Sequence, residues 1–335
     1  EEGTPPQVST REAIENFRRQ LQMCGLSYDW SREVSTADPS YYRWTQWIFT
    51  RLYAAGLAYR TETFVNWCPA LGTVLANDEV IDGKSERGGH PVERRQMKQW
   101  MLRITDFCEE LRQGLERVDW PEMTKVGQLE RIGRSEGAEI DFPVMGHDEI
   151  ITVFTTRPDT LWGATYLVLA PEHPLVERIA TDDRQQAVEA YQRRTAAMSE
   201  VDRQTTRKKS GVDTGARAKH PTTGEPIPIW ISDYVIYGYG TGAIMAVPGH
   251  DERDHAFAKE MNLPIVQVIS GPSVDEAAHT GEGEMMNSGP FDGTPTAGRE
   301  AIRAVIAHLQ AEGLGRAKIS YKLRDWTRSE EHTSE

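Results

Sequence analysis

The character of the sequence changes near residue 135, and this change constrains the fold more than any other feature. Before it, apolar residues recur at the spacing of helices. After it, short apolar stretches alternate with turns, which is the pattern of strands. A chain of 335 residues is long enough to form two hydrophobic cores. The sequence therefore predicts an α/β protein with two domains that meet at residues 134 and 135.

The first domain is predicted to be largely helical. One helix begins at Asp38-Pro39 and ends at Gly56, because proline favours the first turn and glycine the end of a helix. The buried stripe of this helix is predicted to contain Tyr41, Trp44, Ile48 and Leu52. A further helix is predicted over residues 99–115.

The second domain is predicted to be rich in strands, with helices between them. Its predicted strands cover residues 140–144, 150–154, 227–236, 243–247 and 265–269. Its predicted helices cover residues 183–198, 251–261 and 296–312.

Composition and charge limit the possible function and cellular location of the protein. The net charge of −13 argues against a general nucleic-acid binder. The three cysteines are widely spaced, which predicts a reducing compartment, and we expect the cytoplasm. We expect neither a signal peptide nor a membrane span, because the first residues are polar and acidic and no apolar run is long enough to cross a bilayer. One basic stretch stands out, and it is either a solvated loop or a phosphate-binding surface. Its cations are Arg203, Arg207, Lys208, Lys209, Arg217 and Lys219.

The segment His250 to His255, "HDERDH", combines two histidines with three carboxylates directly after an apolar run and Pro-Gly. One interpretation is a metal site, although no second Cys/His cluster completes a zinc shell. Another is a helix start, with Asp251 as the N-cap and Asp254 in the first turn, where carboxylates are favoured. A third is a pocket that binds a cation.

A second polar cluster follows the predicted strand 150–154, in the segment "TTRPDT". Proline and aspartate here are typical of a turn. A turn does not explain why hydroxyl, carboxylate and guanidinium groups gather at one place. Hydroxyl groups both donate and accept hydrogen bonds, so such a cluster can bind water and ester oxygens.

Several stretches together resemble bacterial leucyl-tRNA synthetase, from about Thr10 to Trp326. Among them are "NWCPALGTVLANDEVIDG", "FTTRPDTLWGATYLVLAPEHPLV" and "GTGAIMAVPGHDERDHAFA". The resemblance implies part of a class I, Rossmann-like catalytic domain with an inserted, β-rich α/β editing domain. Residues 1–134 would belong to the catalytic domain, 135–322 to the editing domain, and 323–327 to the return into the catalytic domain. The tail 328–335 resembles the translation of a sequencing adapter and is interpreted as non-native.

The resemblance also implies an activity and its partners. The intact enzyme would charge tRNA(Leu) with leucine, using ATP and Mg²⁺, and the editing domain would hydrolyse mischarged tRNA without a cofactor. The HIGH-type and KMSKS-type ATP motifs of the family are absent from this sequence, so we expect a fragment that does not aminoacylate alone. A monomer without a membrane partner is expected. Many family members carry a cysteine pair where this chain has "KSERGG", so no zinc site is expected.

Residue roles follow from the same resemblance. Asp254 would bind the α-ammonium group of the aminoacyl ester, and Thr160 would exclude leucine sterically. The groups that position water and the terminal ribose would be Thr155, Thr156, Arg157 and Asp159. The other substrate-binding residues would be Tyr239, Met245, Val247, His250 and Asp251. Three alternatives stay open: an isoleucyl- or valyl-type editing domain, a non-catalytic tRNA-binding module, and a metallohydrolase that uses the His/Asp cluster.

Overall fold

The computed structural model describes residues 4–76, 79–196, 198, 203, 210–237 and 240–328. The chain divides into two units, residues 1–58 and 59–335. None of the described helices combines the length and the apolar character that crossing a membrane requires.

The first unit contains two helices, α1 (Pro6–Met23) and α2 (Pro39–Ala54), with a 3₁₀ turn at Trp30–Arg32 between them. Helix α2 begins as predicted, because the Asp38 carboxylate accepts a hydrogen bond from the backbone N–H of Ser40 at 2.7 Å. The predicted buried stripe of α2 is wrong, since Trp44 is 56% exposed and Ile48 is 52% exposed. Within the described part of this unit, no residue of α2 is buried.

The second unit begins with a sheet whose strand order is β13-β5-β1-β2. Its strands are β1 (Ala58–Cys68), β2 (Thr73–Leu75), β5 (Glu93–Leu102) and β13 (Trp326–Arg328). A small hairpin lies between β2 and β5 and consists of β3 (Val80–Ile81) and β4 (Lys84–Ser85). Two helices follow β5, namely α3 (Cys108–Gly114) and α4 (Glu122–Ile132).

The predicted helix over residues 99–115 is therefore wrong in its first half. Residues up to Leu102 continue strand β5, which lies between β1 and β13 in the sheet. The pairing partner Trp326 is more than two hundred residues away, and it lies opposite Leu102 in the register. Strand formation at this position depends on pairing with β1 and with the distant β13, and helical periodicity cannot reveal such partners.

The described residues in the rest of the unit form two further sheets and four helices. One sheet has the order β11-β8-β10-β9 and the other has the order β12-β6-β7. The strands are β6 (Ser135–Pro143), β7 (Ile150–Thr155), β8 (Tyr166–Leu169), β9 (Gly211–Lys219), β10 (Pro226–Ser232), β11 (Ala243–Ala246) and β12 (Gly315–Ser320). The helices are α5 (Val176–Ile179), α6 (Asp182–Ala196), α7 (Glu252–Met261) and α8 (Glu300–Ala311).

Most of these elements agree with the sequence prediction. The predicted helices match α6, α7 and α8, and four of the five predicted strands match β6, β7, β10 and β11. The predicted strand 265–269 is wrong, because only an isolated bridge at Ile269 is formed there. The prediction missed strands β8, β9 and β12 and helix α5, although all four residues of β8 are buried. Leu167 and Leu169 enter the main core, while Tyr166 and Val168 pack on the opposite side against Phe257 of α7.

The chain enters and leaves this β-rich region at one place. Strand β12 pairs with β6 in antiparallel register, so Ser320 lies opposite Ser135. Beyond the ladder, the N–H of Lys322 donates to the carbonyl of Ile132 at 3.0 Å. The two crossing segments thus run side by side, and β13 then pairs with β5. This arrangement agrees with an insertion, although the boundaries 134/135 and 322/323 stay predictions.

Gly137 of β6 offers a test of the packing that supports the end of β7. A Cβ atom at this glycine would lie 1.9 Å from the carbonyl oxygen of Thr155, which is backbone and cannot rotate away. Gly137→Ala should lower the free energy of unfolding by about 3 kcal/mol or more, at the upper end of overpacking effects. Chemical denaturation measures the change.

The matched control is Gly127→Ala in helix α4, where a Cβ atom would meet nothing within 4 Å. There the substitution should stabilise the helix by about 0.5–1 kcal/mol, because alanine loses less conformational entropy than glycine. Equal effects of the two substitutions would contradict the close approach at Gly137.

Candidate functional site

The polar cluster after β7 is built around an ion pair between Arg157 and Asp159. The Arg157 Nη2 and Nε atoms lie 2.8 Å and 3.0 Å from the Asp159 carboxylate oxygens. The Asp159 side chain is fully buried, while the Arg157 side chain is 38% exposed. The buried partner thus fixes a guanidinium group that still faces solvent. Such a group can bind anionic or ester oxygens with defined geometry.

Thr160 is held within the 3₁₀ helix Pro158–Gly163 that follows. Its backbone N–H and its hydroxyl group both donate to the Arg157 carbonyl, at 3.1 Å and 2.8 Å. The side chain of Thr160 is buried. Thr155 accepts a hydrogen bond from the Arg157 N–H through its Oγ1 atom at 3.0 Å, whereas Thr156 is exposed. The turn therefore presents one exposed and two fixed threonines within six residues.

The "HDERDH" segment forms the start of helix α7. The Asp251 carboxylate accepts hydrogen bonds from the N–H groups of Arg253 and Asp254, at 2.9 Å and 3.2 Å. Asp251 is therefore the N-cap, as predicted from the sequence. Burial opposes the ionisation of Asp251, but the Arg253 guanidinium and these N–H donors hold its pKa below the usual range.

Asp254 occupies the first turn of α7 and is buried, with 4% of its surface exposed. Its Oδ2 atom accepts a hydrogen bond from the Val247 N–H at 2.9 Å, and its Oδ1 atom accepts one from the Tyr234 hydroxyl at 3.1 Å. Tyr166 donates to the backbone carbonyl of Asp254 at 2.8 Å. Two buried tyrosines, Tyr166 of strand β8 and Tyr234 from the segment after β10, thus contact this aspartate.

Burial, followed by the negative charge of Asp251, raises the pKa of Asp254 to about 7. The hydrogen bonds from Val247 and Tyr234 and the charge of Arg253 lower it in part. Within the described residues, no basic group forms an ion pair with Asp254, since Arg253 pairs with Asp251. The carboxylate therefore lacks the cation that would compensate for its burial.

The two histidines of the segment hold loops in place. The N–H groups of Val268 and Ile269 donate to His250 Nε2, at 2.9 Å and 3.2 Å, so Nδ1 carries the proton and donates to the His279 carbonyl at 2.7 Å. His255 Nε2 donates to the Val274 carbonyl at 2.9 Å. The ring of His250 has no nitrogen left for a metal ion. Among the residues that the structure describes, no group of three His, Cys, Asp or Glu side chains is arranged as a metal site.

Packing and charge bring the two polar clusters together. Gly163, at the end of the 3₁₀ helix, lies so close to Val247 that a Cβ atom would be 3.1 Å from its Cγ1 atom. Met245 and Val247 belong to the same apolar cluster as Leu161. Burial lowers the pKa of His250 and the bond to His279 opposes this, while the nearby charges of Arg157 and Asp159 act in opposite directions. Tyr239, also predicted as a pocket residue, lies outside the described residues.

The described cations of the basic stretch lie in different environments. Arg203 is buried and unavailable to a nucleic acid, because its guanidinium lies 2.5 Å from Glu172 and donates to the Thr195 carbonyl at 2.6 Å. Both sequence interpretations, the solvated loop and the phosphate surface, are wrong for this residue. Arg217 pairs with Asp213 at 3.2 Å. The three central cations, Arg207, Lys208 and Lys209, lie outside the described residues.

Sequence reasoning missed Tyr166 and Tyr234, which contact Asp254. Both come from segments that are distant in the sequence, 88 and 20 residues before Asp254. Neither tyrosine lies in a motif of polar residues. Nothing local in the sequence distinguishes them from core aromatic residues.

The fold and the two clusters can now be compared with known proteins. Residues 8–132 match the family model of class I tRNA synthetases (I, L, M and V), and residues 130–310 match the model of the leucyl-tRNA synthetase editing domain. The chain thus combines a class I synthetase region with an editing-domain region. It belongs to the leucyl-tRNA synthetase editing-domain family.

A solved structure agrees with this classification. The chain is 35% identical to the agnB2 LeuRS of Agrobacterium radiobacter K84, solved as a ternary complex with tRNA and LeuAMS, with a TM-score of 0.75. The alignment covers 97% of this chain and 38% of that enzyme. A methionyl-tRNA synthetase of Mycobacterium tuberculosis is 19% identical over 37% of this chain and 26% of that one, with a TM-score of 0.29, too low to compare residues. The predicted α/β fold class is confirmed, while the residue roles stay predictions.

The raised pKa of Asp254 predicts a pH dependence of stability. In the folded protein the carboxyl group keeps its proton up to about pH 7, whereas in an unfolded chain it loses it near pH 4. The free energy of unfolding should therefore fall as the pH rises from about 4 to about 7, by up to about 4 kcal/mol. Asp254→Asn should remove this fall, which denaturant unfolding across the pH range measures.

A second variant checks the cause of the shift. Asp251→Asn keeps an N-cap side chain but removes the charge next to Asp254. It should lower the pKa of Asp254, so the free energy of unfolding should fall over a smaller pH range than in the wild type. Parallel stability curves for the wild type and both variants would contradict the assignment.

Proposed function

We propose that this chain hydrolyses the ester bond of mischarged tRNA(Leu) and spares leucyl-tRNA(Leu). The observation that carries the proposal is the buried Asp254 carboxylate, which has no ion-pair partner among the described residues. An α-ammonium group of an aminoacyl ester would supply the missing cation. A carboxylate has about four acceptor positions, and Val247 and Tyr234 use two of them. Two positions remain for the ammonium group.

The polar cluster after β7 supplies the other groups that hydrolysis requires. Water attacks the carbonyl carbon of the ester, and the bond to the terminal ribose oxygen breaks. An ester of this kind is already activated, so positioning of the water and stabilisation of the oxyanion suffice without a protein nucleophile. Thr155, Thr156 and the Arg157–Asp159 pair would provide these contacts. Met245 and Val247 would line the pocket for the amino acid side chain.

The synthetic site makes errors, because one methylene group changes binding there by only about 1–3 kcal/mol. A second pocket that excludes leucine corrects the resulting errors. Thr160 suits this role, since its side chain is buried and its hydroxyl group donates to the Arg157 carbonyl at 2.8 Å.

The longer protein would charge tRNA(Leu) with leucine, using ATP and Mg²⁺. The family's two ATP motifs are absent from this sequence, and the residues that the structure describes do not form a metal-binding group of three. We therefore assign no residue of this chain to ATP or Mg²⁺. The cytoplasmic location and the monomeric state expected from the sequence stay predictions.

Thr160→Ala tests the exclusion of leucine. Removal of the methyl and hydroxyl groups enlarges the pocket, so the variant should hydrolyse leucyl-tRNA(Leu) at least about tenfold faster than the wild type. Deacylation of charged tRNA measures the rate. Thr160→Val is the matched control, because it keeps the volume and should continue to spare leucine. A Thr160→Ala variant that leaves leucyl-tRNA intact would refute the role of Thr160.

Asp254→Asn tests the ammonium site without disturbing the fold. The amide oxygen can accept from the Val247 N–H, and the amide nitrogen can donate to the Tyr234 hydroxyl oxygen. Deacylation of isoleucyl-tRNA(Leu) should fall by about a hundredfold or more, since a buried charge pair is lost. The control is Glu252→Gln, an exposed carboxylate on the same helical turn.

The outcome also separates hydrolysis from mere tRNA binding. Wild-type protein that binds mischarged tRNA but leaves the ester intact would be a binding module. Asp254→Asn that hydrolyses at the wild-type rate would place the ammonium site elsewhere.

A further inference from the structure

A hydrogen bond joins His220 to the segment that carries Thr160. His220 follows β9 and opens the turn to β10, and only 2% of its surface is exposed. Its Nε2 atom lies 2.9 Å from the carbonyl oxygen of Leu161, which is the residue directly after Thr160. The two residues are 59 positions apart in the sequence. Neither the sequence motifs nor the proposed function assigned a role to His220.

The surroundings of the ring define which nitrogen carries the proton. The backbone N–H groups of Thr222 and Thr223 point to Nδ1, at 3.4 Å and 3.3 Å. Nδ1 is therefore the acceptor, and Nε2 donates to Leu161. Burial lowers the pKa of His220, and the bond to Leu161 opposes this in part, so the neutral ring is favoured. The edge of the ring also packs against Phe142, with centroids 6.0 Å apart.

The receiving carbonyl lies within a short and weak element. A 3₁₀ helix has poorer hydrogen-bond geometry than an α-helix and depends more on outside contacts. The Leu161 carbonyl accepts one bond from the Ala164 N–H at 2.9 Å and a second from His220. The second bond ties the 3₁₀ helix to the turn between β9 and β10.

We propose that His220 is a positioning residue for leucine exclusion: its bond to the Leu161 carbonyl sets how far the Thr160 side chain projects into the amino acid pocket. The proposal rests on the proposed editing function and concerns the same site. His220 does not touch the reacting atoms. Its loss should therefore change which amino acid is hydrolysed more than how fast hydrolysis occurs.

Two substitutions test the two ring nitrogens of His220 one at a time. His220→Asn places an acceptor near the position of Nδ1, which satisfies Thr222 and Thr223, but removes the donor to Leu161. His220→Gln places an N–H near the position of Nε2 and removes the acceptor. Deacylation of leucyl-tRNA(Leu) and isoleucyl-tRNA(Leu) is measured for both variants and for the wild type.

The expected result is a change of selectivity in the Asn variant alone. His220→Asn should hydrolyse leucyl-tRNA about tenfold faster than the wild type, while its rate on isoleucyl-tRNA stays within about threefold. His220→Gln should keep the wild-type ratio. An unchanged ratio in a folded Asn variant, or equal changes in both variants, would overturn the proposal.

The same assay distinguishes this proposal from the function on which it rests. Wild-type protein that leaves isoleucyl-tRNA intact would refute the editing function itself. Editing in the wild type, with leucine hydrolysis in Thr160→Ala but not in His220→Asn, would refute only the role of His220. Should the Asn variant not fold, the carbonyl is weakened instead. Replacing Trp162 with its α-hydroxy analogue converts the Leu161 carbonyl into an ester carbonyl and should shift the ratio in the same direction.

Discussion

The hydrogen bond from the Val247 N–H to the Asp254 carboxylate connects the end of strand β11 with the first turn of helix α7. A buried carboxylate is costly unless its oxygens are satisfied, so the surrounding elements must supply donors. Tyr234 reaches it from the segment after β10, and Tyr166 of β8 binds the backbone of the same residue. Strand β8, the segments that follow β10 and β11, and helix α7 therefore meet at one residue. The position of Asp254 in the candidate site depends on this junction.

The two aspartates of the segment divide structural and chemical tasks. Asp251 caps the helix and pairs with Arg253, so its charge is already compensated. Asp254 lies one turn further, in the protein interior, and its charge is not. The distinction arises from burial and from the position of each residue in the helix. Residues of the same type, three positions apart, thus acquire different properties.

Local patterns in the sequence predicted the elements and turns that interactions over a few residues determine. The change from strand to turn to helix at Val247 and Asp251 was predictable, because apolar runs, Pro-Gly and N-cap residues act over a few positions. The clustering of Arg157 with Asp159 follows from a single turn. These local patterns located the two polar clusters, whereas the resemblance to a family implied that they belong to one site.

Contacts between distant segments were not predictable in this way. Trp100 lies in a strand because β5 pairs with β1 and with the distant β13, and helical spacing around Trp100 gave no sign of this. Arg203 was expected among the cations of a loop, yet it is buried against Glu172. The tyrosines around Asp254 and the bond from His220 to Leu161 likewise join residues far apart in the chain. Sequence periodicity reports the environment of a residue but not the identity of its partners.

The pairing of Ser135 with Ser320 has a consequence for how the chain folds. Strand β13 must find β5 across more than two hundred intervening residues, and closing so long a loop carries a large entropic cost. Once β6 and β12 have paired, the ends of the intervening region lie a few ångströms apart, and the remaining closure resembles that of a short hairpin. The β-rich region should therefore fold before the sheet that carries it is completed. The inserted region thus brings β5 and β13 close together before these two strands pair.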